Sequence, residues 1–287
     1  MASKRFEGTE PILCAHLLRV ADGKLLELLR ALTAEEWERP TIAGRWRVRE
    51  VAAHLLDTAL RKLSLVRDGW VTEKAEIRSE ADLVSLVNRL NAEGAAVYGR
   101  LSPAVLTGMM ERACAESAAF HEGLDPFARA VFAVSWAGEA ESLNWFDTAR
   151  ELTERWHHQQ QIRVATGRLG MGRLGIETRE LYHPVMDCFL RGLPHAYRAV
   201  EAGAGTAVKV EVTGAIGGVW ALRRGAEKWG FVAEHAGGFA CEVKIPQELA
   251  WRLFTKGVDR ETARREVRVE GERGLAEGVF ALTAIVG

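Results

Sequence analysis

The sequence predicts an α+β protein in two parts: an N-terminal up-and-down four-helix bundle over residues 1–202 and a small α+β domain over 203–287. Two observations carry this expectation. From about residue 9 to 200 the apolar residues recur at helical spacing, as in Leu17, Leu18, Leu25, Leu26 and Leu29. At Ala202-Gly-Ala-Gly205 the pattern changes to short alternating runs bounded by glycine or proline, the pattern of strands.

In order, the first helix ends near Leu32, before a polar connection around Pro40. A second runs from Val48 through His54 to about Asp68, and a third from Ala81 to Leu101. Ser102-Pro103 reads as an N-cap and first-turn proline, opening a helix to about His121. The stretch ARAVFAVSWAGEAESLNW is apolar, partly β-like and turns at Ala137-Gly138, so it reads as a loop delivering the next helix, Asn144 to Thr166, which Gly167 stops. A last helix, Glu177 to Ala202, closes the bundle. Beyond it AVKVEVTG, GGVWALRRG and FACEVKI are strands, and QELAWRLFTKG is a short helix with Pro246 in its first turn. A second short helix follows near Arg260 to Arg265; REVRVEG is a strand and GLAEGVFALTAIV a terminal helix.

The charge balance, 38 basic against 39 acidic residues, leaves no footprint for nucleic acid or an anionic membrane, so the expected partner is a small molecule. Four cysteines lie far apart and form no C-x-x-C pair, which argues against a cysteine metal cluster and against a disulfide scaffold. No signal-peptide core and no run of ~18 apolar residues is present. The expectation is a cytoplasmic protein, monomer or homodimer.

The chemistry concentrates in two segments, RWRVREVAAHLLD with His54 and ELTERWHHQQQIR with Glu154, His157 and His158. Glu154 and His158 stand four apart, on one helical face. A histidine from another helix completes a two-imidazole, one-carboxylate set, the donor set of catalytic zinc sites that keep one coordination position open. His157, three residues from Glu154, competes with His158, and spacing does not separate them. His54 also reads as a core histidine, and Glu154 as the partner of Arg49 or Arg155. Gln159, Gln160 and Gln161 read either as a solvated face or as hydrogen-bond partners of the ligands. Asp57, one turn beyond His54, orients an imidazole or pairs with Arg61. Asn88 and Asn91 share a helical face and are candidates for holding a polar cofactor. No G-x-S-x-G, P-loop or G-x-G-x-x-G motif occurs.

Together, RWRVREVAAHLLD and ELTERWHHQQQIR resemble the metal-binding domain shared by DinB-like proteins and mycothiol-dependent maleylpyruvate isomerases. GGVWALRRG, PQELAWRLFTKG and RVEGERGLAEGVFAL resemble the sterol-carrier-protein-like domain that follows the bundle in those isomerases. Two departures stand out: Ala43-Gly44-Arg45 precedes Trp46 where the family carries C-P-G, and Gln161 stands where it carries an aspartate. The resemblance implies His54, Glu154 and His158 as metal ligands, favouring His158 over His157. It implies zinc, with nickel or iron as alternatives, and a low-molecular-weight thiol such as mycothiol. A thiolate would add to an electrophilic double bond, allow rotation and leave again, giving cis-trans isomerisation; S-transfer is the same addition without expulsion. Arg223 and Arg224 are candidates for the cationic catalytic groups this chemistry needs. Two other functions fit the same residues: a metal-dependent hydrolase, and a non-catalytic protein binding a small ligand or partner.

Overall fold

The computed structural model describes residues 5–71, 75–169 and 175–286. By contacts the chain divides into two compact units, one of residues 14–131, 151–176 and 286–287, the other of residues 1–13, 132–150 and 177–285.

The first unit is helical. It holds α1 (Ala15–Ala31), α2 (Ala34–Trp37), α3 (Val48–Lys62), α4 (Glu80–Tyr98), α5 (Pro103–Glu122) and the larger part of α6 (Asn144–Thr166). The starts follow local capping chemistry: Ser79 accepts from the Asp82 N–H, and Ser102 from Val105 with proline in the first turn of α5. Helix α3 runs on as a single π turn, Leu63–Arg67. Gly167, at φ +71°, supplies the left-handed residue that stops α6.

Helices α1, α3, α5 and α6 enclose an apolar core of Leu25, Leu28, Leu29, Val51, Ala52, Leu55, Leu56, Met110, Ala113 and Ile162. The predicted helical bundle is therefore present, with α4 packed outside α3. Gly94 permits that packing, because a Cβ there would stand 2.2 Å from the Asp57 carboxyl carbon.

In the second unit lie α7 (Arg179–Leu190), α8 (Leu193–Ala196) and β1 (Ala207–Thr213), β2 (Gly218–Arg224), β3 (Trp229–Phe231) and β4 (Cys241–Pro246). After them come α9 (Gln247–Phe254), α10 (Arg260–Glu266), β5 (Arg268–Gly271) and α11 (Glu277–Ala281). Among the described residues the strands form one sheet in the order β3-β2-β1-β4-β5, with β1 and β4 parallel and the other neighbours antiparallel. The period of two puts Val208, Val210 and Val212 beside Cys241, Val243 and Ile245, all buried. Lys209 and Glu242, also in register, alternate onto the more exposed face and pair there. Tyr182 of α7 donates to the Gln247 carbonyl at 2.6 Å, which ties α7 to the start of α9.

Besides the short α2, which falls in the connection expected after Leu32, three elements differ from the sequence expectation. The helix expected over 177–202 is interrupted after Leu190, where Gly192 and Pro194 end α7 and open α8. The terminal helix is reduced to a 3₁₀ turn, Arg273–Ala276, and α11. Gly278 lies there against the Tyr197 ring, with no room for a Cβ. Strand β3 was not expected; three residues are too few to show a period. Among the described residues no helix is long and apolar enough to cross a membrane.

Candidate metal centre

Helix α3 carries His54 and α6 carries Glu154 and His158, and the structure brings one ligand atom of each within 4.8 Å of the other two. The centre lies inside the helical unit. The segment before α3 is held by local bonds: the Arg47 N–H donates to Glu50, and Thr41 Oγ1 donates to the Trp46 carbonyl. Trp46 lies against the His54 ring, with centroids 4.9 Å apart, and the His54 and His158 rings meet edge to face at 4.7 Å.

The hydrogen bonds decide which nitrogen of His158 is available. Gln161 Oε1, an acceptor, stands 2.8 Å from His158 Nδ1, so Nδ1 carries a proton, and in the neutral ring Nε2 keeps its lone pair. That lone pair faces Glu154 Oε2 at 3.3 Å. Two acceptors at this separation repel unless a cation, a proton or a metal ion, stands with them. Bond lengths of ~2 Å to a tetrahedral ion would leave its ligand atoms about 3.3 Å apart, which this pair matches. His54, 3% exposed, has a buried Nδ1 without a hydrogen-bond partner. The donor set thus fits a divalent cation.

Burial disfavours the charged form of two of the imidazoles here, His54 and His157. Burial, reinforced by His158, holds His54 well below the ordinary histidine value. His157 is pushed down to about 4, by burial first and then by His158. Burial would raise Glu154, but the approach of His158 and the neighbouring histidines, where these carry protons, outweighs this and holds it below the usual carboxylate range. His157 is turned to its own helix, with Nδ1 2.7 Å from the Thr153 carbonyl. His158, and not His157, therefore belongs to the cluster.

Neither arginine proposed as a partner for Glu154 serves it. Arg49 binds Glu38, and Arg155 binds Asp22 through Nε and Glu151 through Nη1, both at 2.8 Å. Asp22, Glu151 and Arg155 form a buried network completed by Ser117, which accepts from Arg155 Nη2, and by Lys62, 3.6 Å from Glu151. Asp57 pairs with Arg61 at 2.7 Å; it does not bond an imidazole. All three glutamines are buried, so a solvated face is excluded for them: Gln159 donates to the Ala21 carbonyl and Gln161 serves His158.

Of the asparagines on α4, Asn88 is exposed, and Asn91 accepts from Arg61. Arg223 and Arg224 lie at the end of β2 in the sheet unit, paired in register with Gly230 and Trp229; Arg223 is exposed and Arg224 half-buried. Sequence reasoning missed Trp46 as a wall of the site and the Asp22 network. The tryptophan's place eight residues before His54 was the available signal, but Asp22 and Arg155 are joined only by the fold.

Comparison with known proteins gives the same frame. The sequence model described as the mycothiol maleylpyruvate isomerase N-terminal domain matches residues 18–163, a span that includes His54, Glu154 and His158. No curated protein matches the chain. Among solved structures, a mycothiol-dependent maleylpyruvate isomerase aligns at a TM-score of 0.50 and 13% identity, over 90% of this chain and 92% of that one. A histidine-to-alanine mutant of a mycothiol-dependent maleylpyruvate isomerase aligns at 0.53 and 12%, with the same coverage. At these identities the likeness shows the shared fold. With the family match spanning half the chain, this protein belongs to the mycothiol maleylpyruvate isomerase N-terminal domain family.

Proposed function

We propose that this protein is a metal-dependent isomerase that uses a low-molecular-weight thiol, mycothiol being the one its family points to, on a small electrophilic cis-alkene such as maleylpyruvate. The observation that carries the reading is the pair of acceptors, His158 Nε2 and Glu154 Oε2, facing each other at 3.3 Å beside a buried His54 with an unpartnered nitrogen. Zinc suits this donor set best, since two imidazoles and one carboxylate are ligands it accepts with a position left open. When bound, the ion would favour the deprotonated form of a thiol and so raise its reactive fraction near neutral pH.

The chain's own residues then have separate tasks. His54 and His158 would offer lone pairs to the ion, Glu154 would supply a negative charge, and Gln161 holds the His158 ring. Trp46 covers the His54 ring and limits water there. The thiolate sulfur adds to one alkene carbon, the resulting single bond rotates, and expulsion of the sulfur restores the double bond in the trans form with the thiol regenerated. Arg223 and Arg224 are the groups we assign to the substrate's negative charge, and exposed Asn88 to a polar part of the thiol. The activity places no demand on a membrane or on nucleic acid, and a cytoplasmic location suits a protein that works with a reduced thiol.

Isomerisation followed in the ultraviolet, with and without added mycothiol, tests the reading. We expect turnover only with the thiol, and its loss in His54→Ala. Turnover that is independent of thiol and consumes water would identify a hydrolase and contradict it.

A further inference from the structure

We propose that Gln161 is a positioning residue that keeps the metal centre a net cation, and so selects an anionic fourth ligand, a thiolate, over neutral water. This rests on the reading above. Gln161 is 4% exposed and its Oε1 accepts from His158 Nδ1 at 2.8 Å. The bond fixes the His158 tautomer with Nε2 toward the centre. It does so through a neutral amide.

The charges around the centre otherwise cancel. On α3, Asp57 is matched by Arg61 at 2.7 Å. On α6 and α1, Glu151 and Asp22 are matched by Arg155 at 2.8 Å each, with Lys62 a further cation 3.6 Å from Glu151. Glu154 is then the one uncompensated charge among the groups named. A divalent ion in this setting keeps a net positive charge, which the partly buried surroundings screen far less than water would. A carboxylate in place of the Gln161 amide would cancel that charge from the same position.

Two variants separate position from charge. Gln161→Met removes the acceptor, and Gln161→Glu keeps it while adding a negative charge on an almost identical shape. Co2+ is the probe metal, its affinity measured by competition with a chromophoric chelator. Binding of 2-mercaptoethanol at fixed pH is then read from the sulfur-to-cobalt charge-transfer band. Gln161→Met is expected to lose about 10- to 100-fold in Co2+ affinity. Gln161→Glu is expected to hold Co2+ at least as tightly as the wild type while binding the thiol about tenfold more weakly or worse. Wild-type Co2+ affinity in Gln161→Met, or unchanged thiol binding in Gln161→Glu, would overturn this inference alone. A wild-type protein that takes up no stoichiometric Co2+ would overturn the metal reading, and this inference with it.

Discussion

At the scale of single residues, the centre depends on which polar groups the bundle leaves without a partner of their own. Glu154 and His158 were legible as a pair because a helix stacks residues four apart. Spacing did not separate them from His157, although the family resemblance favoured His158: both histidines are buried on the same helix, and the bonds to Thr153 and Gln161 distinguish them. Arg155 shows the opposite limit. It stands beside a ligand, and yet it serves Asp22, 133 residues away, a pairing that no local pattern contains. Its replacement by methionine keeps the apolar stem and removes the guanidinium from two buried carboxylates, Asp22 and Glu151. Breaking a buried ion pair in this way costs on the order of 3–5 kcal/mol. Urea denaturation of Arg155→Met should show a loss of that order, whereas a change near zero would mean that the network contributes nothing.

Among the elements, boundaries were legible where capping chemistry is written into the chain and were lost where it is not. Ser102-Pro103 announces α5, and Gly167 ends α6 in the left-handed conformation. The α2 turn went unread because it spans four residues, too short for a hydrophobic period. Its capping box is reciprocal: Glu36 Oε2 accepts from the Thr33 N–H at 2.8 Å, and Thr33 Oγ1 accepts from the Glu36 N–H at 3.3 Å. Thr33→Ala should cost about 1 kcal/mol and Thr33→Ser much less, as read from thermal unfolding.

The same box gives a pH dependence. Glu36 lies below its ordinary value of 4.5, first through Arg168 and then through the Thr33 N–H. A depressed folded-state value means that the ionised carboxylate contributes stability above about pH 4.5, and that this is lost as pH falls through the lower value. Glu36→Gln should therefore flatten the acid limb of the stability curve, and an unchanged limb would contradict the assignment.

For the whole molecule, the two architectures were visible as a change of period. The region up to about residue 200 repeats at helical spacing, and the region beyond alternates with the period of strands. What the period could not show was how the chain between the bundle and the first strand is cut, because Gly192 and Pro194 act within an otherwise helical pattern. Nor could it show that α6, which carries two of the candidate ligands, contributes residues up to Arg150 to one compact unit and those from Glu151 to the other. The three candidate ligands come from positions 54, 154 and 158, and it is the packing of α3 and α6 in one helical unit that makes them neighbours. The proposed function rests on that convergence. Its most direct test is the metal content of wild-type protein, His54→Ala and Glu154→Ala after equilibrium dialysis against Zn2+, read by plasma mass spectrometry. The account predicts one tightly held ion per chain in the wild type and its loss in both variants; equal content in all three, or none in the wild type, would contradict it.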